Sequence, residues 1–253
     1  MKKGFLLLIL GITTFVACRK GSLPEENYFG SVAVSQVGTT DAVDLDVYFD
    51  GKKLGKILAD GSLAGFMLKA GAAGKLAIYR AGSDTLVADT TVKIPQNEAI
   101  SVKVISSLAL GANGFINGGE VGADSVKVQL INSLNTTIYP YPNGVDVCVY
   151  TYVSNKLADS IMTIKNVMPG KLDPRVITLR HVDSLGKGIF YVAKLKDPAT
   201  GQFIRQAASN VVMFSFLNTS AGYNGHLNLI QYYDNGGDAT TNKILVKVTT
   251  LLQ

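Results

Sequence analysis

The side chains that most often do chemistry are scarce in this chain of 253 residues, which has two His, two Cys and 19 Asp plus Glu. A hydrolase triad needs a His held between a nucleophile and a carboxylate. His181 has Asp183 and Ser184 close by in sequence, but neighbours along a strand point to alternating faces and make no triad on their own. His226 has no such neighbours. There is no nucleophile elbow, phosphate loop or His-Glu metal helix. Glu occurs at 25, 26, 98 and 120 and nowhere beyond, so the second half has little material for a paired-carboxylate mechanism. The acidic run Asp41, Asp44, Asp46 and Asp50 raises a calcium question. Calcium takes six to eight oxygens in a loop of defined spacing, whereas Asp44 and Asp46 stand about 7 Å apart on one strand face. Charges that guard an edge strand account for them equally well. Cys18 and Cys148 stand 130 positions apart and make no CxxC redox centre, and acylation of Cys18 would leave a single Cys, too few for a cysteine-based zinc site. No catalytic residue, metal or cofactor is expected.

One cysteine has a different setting. Met1-Lys2-Lys3 is a short basic start, and Gly4 to Val16 is an apolar run of 13 residues, too short to span a bilayer and right for a signal-peptide core. It ends in Phe15-Val16-Ala17-Cys18, where a small residue before Cys resembles a bacterial lipobox, although Phe15 stands where Leu is usual. The alternative is a plain secretory signal with an incidental Cys. Residues 1–17 are read as the signal peptide and Cys18 as the lipidated first residue of the exported chain, palmitate included among its acyl groups. Each buried methylene contributes about 0.8 kcal/mol, so several acyl chains anchor firmly. With Cys18 acylated, only Cys148 is left and no intramolecular disulfide can form. Residues 18–29 carry Gly21, Ser22, Pro24, Glu25 and Glu26 and read as a flexible tether. Lys20 followed by Glu25-Glu26 loosely resembles the address of outward-displayed Gram-negative lipoproteins. The expected location is the outer membrane, lipid-anchored and facing outward.

The formal charge of +5 becomes +3 without Lys2 and Lys3, and beyond residue 20 the only adjacent basic pair is Lys52-Lys53. Nucleic-acid binding asks for a clustered basic face, so no nucleic-acid partner is expected. Short runs rich in Val, Ile, Thr, Tyr and Phe, broken by many of the 26 Gly, make the chain all-β. Strands are predicted over 30–37, 42–49, 54–58, 65–68, 75–80, 86–94 and 99–106. Seven short strands bounded by turn residues describe an immunoglobulin-like sandwich over 30–107. At its centre, Val43, Leu45, Val47 and Phe49 alternate with Asp44, Asp46, Tyr48 and Asp50 and run into Asp50-Gly51, a strand entering a tight hairpin.

Residues 108–123, with Gly111, Asn113-Gly114, Asn117-Gly118-Gly119 and Gly122, read as a Gly-rich linker. A second sandwich is expected over 124–253, with strands at 125–132, 145–152, 161–166, 176–180, 189–195, 210–217, 227–233 and 244–251. Gly144 to Tyr150 is a weaker copy of the 43–54 stretch. Asp46/Asp146 and Arg80/Arg180 share an offset of one hundred, which suggests a duplication.

Ala42-Val43-Asp44-Leu45-Asp46-Val47-Tyr48-Phe49-Asp50-Gly51, with the apolar strand after it, resembles domain of unknown function 4397, a small β-sandwich common in exported bacterial proteins and lipoproteins. The likeness covers roughly residues 30–106. The chain has an extra Leu45-Asp46 step, and Val37 to Asp41 replaces the usual Ala-Ser-Pro-Asp. The resemblance implies a sandwich and an exported protein, and no catalytic residue comes with it.

Seven of the 11 Tyr fall in the second unit's expected loops and strand ends, at 139, 141, 150, 152, 223, 232 and 233. Tyr139, Tyr141, Tyr232 and Tyr233 are the candidate contacts for a carbohydrate or protein ligand, because a phenol ring covers apolar area at low entropy cost. The competing reading packs these rings in the core. Two functions stay open. One is a non-catalytic surface binding or adhesion module; the other is a structural, pilin-like assembly subunit joined by strand exchange.

Overall fold

The computed structural model describes residues 28–71, 73–116, 119–153, 156–206 and 211–251. The expected signal peptide, Cys18 and the tether as far as Asn27 lie outside them. Among the described residues, every regular element is a strand apart from one 3₁₀ turn at Thr219–Ala221. The first unit holds β1 (Phe29–Gln36), β2 (Leu45–Phe49), β3 (Lys52–Ile57), β4 (Ala64–Lys69), β5 (Ala73–Arg80), β6 (Leu86–Lys93), β7 (Ala99–Ser107) and β8 (Ala112–Ile116). The second holds β9 (Ser125–Ser133), β10 (Val145–Val153), β11 (Lys156–Val167), β12 (Ile177–Arg180), β13 (Phe190–Lys196), β14 (Met213–Asn218), β15 (Leu227–Asp234) and β16 (Ile244–Leu251).

These strands form four sheets of four. Sheet I is β3-β2-β5-β6, sheet II β4-β1-β7-β8, sheet III β12-β9-β15-β16 and sheet IV β11-β10-β13-β14. Adding eight to each strand number of the first unit reproduces the order in the second. The one parallel pairing of each unit is preserved too, β1 with β7 and β9 with β15. The same topology, built twice, is what a duplication requires.

Strand alternation explains how the sheets stack. In sheet II, Val32, Val34 and Val104 face sheet I and share a core with Leu45, Val47, Ile57, Leu76 and Ile78. In sheet III, Val126, Val128, Leu130, Ile230 and Tyr232 face sheet IV and pack with Val147, Val149, Leu195 and Phe216. The opposite faces of sheets II and III are apolar as well. Ile105, Ala112 and Ile116 meet Ile131, Leu172, Leu227, Leu229 and Leu251 in a third core. The layers therefore run I, II, III, IV, and the two middle sheets are covered on both faces.

Several local expectations change. The stretch 108–123 is no simple linker, because β8 sits inside it and completes sheet II by pairing with β7. Its Gly114 reads as a turn residue but serves packing: a Cβ there would lie 3.3 Å from Cβ of Leu172, inside the third core. At the other end Phe29, expected in the tether, pairs with Lys69 and starts β1. Val43 precedes β2 and is 42% exposed, so it is outside the core that Leu45 and Val47 enter. β2 is an inner strand, so Asp44, Asp46 and Asp50 are not edge guards. Arg80 ends β5 in sheet I and Arg180 ends β12 in sheet II's counterpart, so the Arg80/Arg180 match is accidental. Asp46 and Asp146 do correspond, as the second residues of β2 and β10. The Asp50-Gly51 turn is as predicted, with φ of 46° and 77°, the left-handed pair that a two-residue hairpin needs.

Val47, fully buried, cannot accept a charge, and Val47→Asp is expected to abolish cooperative unfolding of the first unit in a thermal melt. Leu229, 1% exposed in the third core, is shared by both units. The protein is expected to melt in a single calorimetric transition, and Leu229→Ala to lose about 2–5 kcal/mol in denaturant titration.

Candidate functional site

The four tyrosines singled out in the sequence part company. Tyr139 is 2% exposed and Tyr232 is 0% exposed, both inside the core between sheets III and IV. Tyr232 stacks on Phe214 with ring centroids 5.7 Å apart, and burial pushes its phenol well above its ordinary pKa. These two are packing residues and not ligand contacts. Tyr232 lies on the inward face of β15 and Tyr139 in the turn after β9, and a Tyr-Pro or Tyr-Tyr pair gives no sign of which ring points in. Tyr141 is half-buried against the same core. Tyr233, on the opposite face from Tyr232, lines an open groove of about 670 Å³ where the Leu108–Gly111 turn meets Ser133, Gln231 and Lys247.

The acidic run is equally dispersed. Asp41 accepts from Ala109 N–H and Ser107 Oγ, both at 2.8 Å, and so ties the β1–β2 loop to the β7–β8 turn. The Ala109 bond is the largest of the influences that lower its pKa to about 2. Asp44 accepts from Ala59 N–H, Asp46 pairs with Lys53 at 2.7 Å, and Asp50 accepts from Lys75 N–H at 2.7 Å. Among the described residues no three His, Cys, Asp or Glu side chains converge as metal ligands. Asp183 spends one carboxylate oxygen on the Leu185 and Lys187 N–H groups of its own turn, which keeps it from orienting His181.

Half-buried aromatic rings gather elsewhere, on the outer faces of the two outer sheets. On sheet IV, Tyr152 and Phe190 make an edge-to-face pair at 5.7 Å. Beside them the Lys194 ammonium lies 5.1 Å from the Tyr150 ring centre and 5.5 Å from that of Phe203, and Lys196 lies 5.5 Å from Phe203. On sheet I, Tyr48 and Tyr79 make an edge-to-face pair at 5.3 Å beside a cleft of about 510 Å³. The sequence signals Tyr48, Tyr150 and Tyr152 but gives no hint of Tyr79, Phe190, Phe203 or Lys194 as their neighbours, because cross-strand pairing joins residues 31 or more positions apart for Tyr48 and Tyr79.

The lattice points of the two faces correspond. Asp46 faces Tyr79 and Tyr48 faces Ala77 in the β2–β5 ladder. Asp146 faces Lys196 and Cys148 faces Lys194 in the β10–β13 ladder. One repeated scaffold thus carries a tyrosine-walled surface in the first unit and a lysine-over-aromatic surface in the second.

No protein-family model and no curated protein matches the chain. Among solved structures, the fimbrial anchor protein Mfa2 from Porphyromonas gingivalis aligns over 88% of this chain and 98% of its own, at 11% identity and TM-score 0.27. A candidate cell adhesion protein from Bacteroides uniformis aligns over 90% and 99%, at 12% identity and TM-score 0.22. A leucine-rich repeat protein from Bacteroides thetaiotaomicron aligns over 76% of this chain but only 25% of its own, at 9% identity and TM-score 0.21. Likenesses at these scores carry no argument about fold or function.

Because Asp41 is more acidic in the folded protein than its free value of 3.8, the stability it adds is present in full above about pH 4. That contribution drains away as the pH falls toward 2. Asp41→Ala is expected to melt lower than the parent at pH 7, and the gap is expected to close between pH 4 and pH 2.

Proposed function

We propose that this protein is a lipid-anchored envelope protein, displayed on the outer membrane, which binds a ligand without transforming it. The observation that carries the reading is the placement of half-exposed aromatic rings on the solvent faces of sheets I and IV, at opposite ends of one packed stack. Apolar residues scattered singly over a surface need no explanation, whereas rings gathered together on one face are the pattern of an interaction surface. Tyr150, Tyr152, Phe190 and Phe203 instead present ring surface beside the ammonium groups of Lys194 and Lys196. Rings with nearby polar tips suit carbohydrate or protein contact.

The lipobox-like Phe15-Val16-Ala17-Cys18 supports the anchoring, and the tether after it would hold the sandwiches clear of the membrane. The resemblance of the first unit to domain of unknown function 4397 supports an exported sandwich and adds no activity. A pilin-like subunit joined by strand exchange has less support. β1, the first strand, is bonded on both sides, to β4 and β7, and its removal would open the first core.

Cells fed a clickable palmitate analogue are expected to label the wild-type protein and not Cys18→Ser, which should also leave the membrane fraction. Protease added to intact cells should digest the anchored protein. Tyr150→Ala with Phe190→Ala should reduce adherence of purified protein to a glycan or host-protein array without lowering its melting temperature by more than a few degrees.

A further inference from the structure

The cleft on sheet I has a construction of its own. Its floor is Ala77, 5% exposed, a small side chain set between Lys75 and Tyr79 on that face of β5. Tyr48 stands directly across the ladder from Ala77, and Tyr79 stands two residues further along β5. A small floor beside this contacting ring pair leaves a recess of about 510 Å³, inside the range of about 300–1,000 Å³ common for small-ligand sites. The two hydroxyls have no hydrogen-bond partner among the described residues. One end of the recess is bounded by Lys75 and the Gly51 turn, the other by Ser83 and Asp84 in the β5–β6 turn.

The surroundings narrow the class of ligand. β2 and β5 are both inner strands, with ladders on each side, so their main-chain groups are already paired. A peptide strand has no edge to join here, and recognition falls to side chains alone. Charge argues against an anion. The only lining cation, Lys75, is held at 2.6 Å by Asp89, while the exposed Asp84 carboxylate has no ion pair among the described residues. What fits is a small neutral body that offers C–H faces to rings and hydroxyls to a carboxylate, at alternating points a few ångströms apart.

We propose that the Tyr48/Tyr79 cleft binds a neutral pyranose unit of a glycan, with the rings against its C–H faces and Asp84 accepting from its hydroxyls. The site deepens the binding reading given above and rests on it for access to ligand. It is separate from the sheet IV surface, whose equivalent positions hold Lys194 and Lys196 and would disfavour the same recess.

The test uses the full lipid-anchored chain in detergent, titrated on an array of neutral and uronate-bearing oligosaccharides. Saturable binding to neutral glycans is expected, weakened at least tenfold by Tyr48→Ala and by Tyr79→Ala. Asp84→Ala, at an exposed turn position that cannot unfold the sheet, is expected to weaken it at least threefold. Tyr150→Ala should leave this binding unchanged. The proposal is overturned if uronate-bearing glycans are preferred, if no neutral glycan binds, or if Asp84→Ala and both tyrosine variants bind as the parent does. Should binding persist but follow Tyr150 and Phe190, the sheet IV reading stands and the sheet I site falls. Loss of all binding in every arm would remove both.

Discussion

The rest of the structure depends on the apolar contact between sheets II and III. A sandwich normally offers its outer faces to water, which makes two sandwiches in tandem a pair of beads on a string. Here the inward-facing strands of each unit carry a second apolar set, Ile105, Ala112 and Ile116 on one side and Ile131, Leu227 and Leu229 on the other. Burying both faces of a sheet costs less where the polar groups it hides find partners, and the buried amide N–H groups at the join do so, although Gln129 Oε1 has none among the described residues. Gln129, fully buried, donates to the carbonyls of Phe115 and Asp173, at 3.2 and 2.7 Å. Gln231 donates to Leu110 O at 2.9 Å and to Ser133 Oγ at 3.0 Å. Apolar area supplies the adhesion, and these two amides fix the register of one unit on the other.

That join leaves the repeated topology with two separate outer faces. Because sheets II and III are spent on holding the units together, only sheets I and IV remain as broad free faces. The repeated scaffold keeps its paired aspartates for structural reasons: Asp46 holds Lys53 and the Gly82 N–H, and Asp146 holds the Asn166 N–H at 2.9 Å, each steadying a neighbouring turn or bulge. The residues next to those aspartates have diverged. Ala77 and Tyr79 in one unit stand where Lys194 and Lys196 stand in the other. Divergence at matched points on free faces, with the cores and strand order kept, is what separate ligand contacts on one frame would produce.

How much of this can be read in the sequence follows from what is local and what is not. Fifteen of the strands announce themselves through alternation and turn residues, and the Asp50-Gly51 hairpin is legible to the residue. β8 is hidden because its Asn113-Gly114 pair looks like a turn, while Gly114 is there to admit Leu172, a residue 58 positions away. The third core is hidden for a related reason. An alternating strand shows one apolar face, and the scattered Ile105, Ile131 and Leu229 read as exceptions until two sheets are seen to meet. The candidate site suffers most. Tyr232 and Tyr233 are adjacent and point to opposite faces, and composition alone cannot choose between them. Tyr79 has no signal at all until the ladder sets it beside Tyr48.

The central claim is that the two sandwiches form one rigid body that holds two different sheet faces apart. Spin labels at Lys75→Cys on sheet I and Lys194→Cys on sheet IV, with Cys18 and Cys148 replaced, test it by pulsed dipolar spectroscopy. A single narrow distance distribution is predicted, one that broadens when Gly114→Val wedges Leu172 out of the third core. A broad or multi-peaked distribution in the parent protein would contradict it.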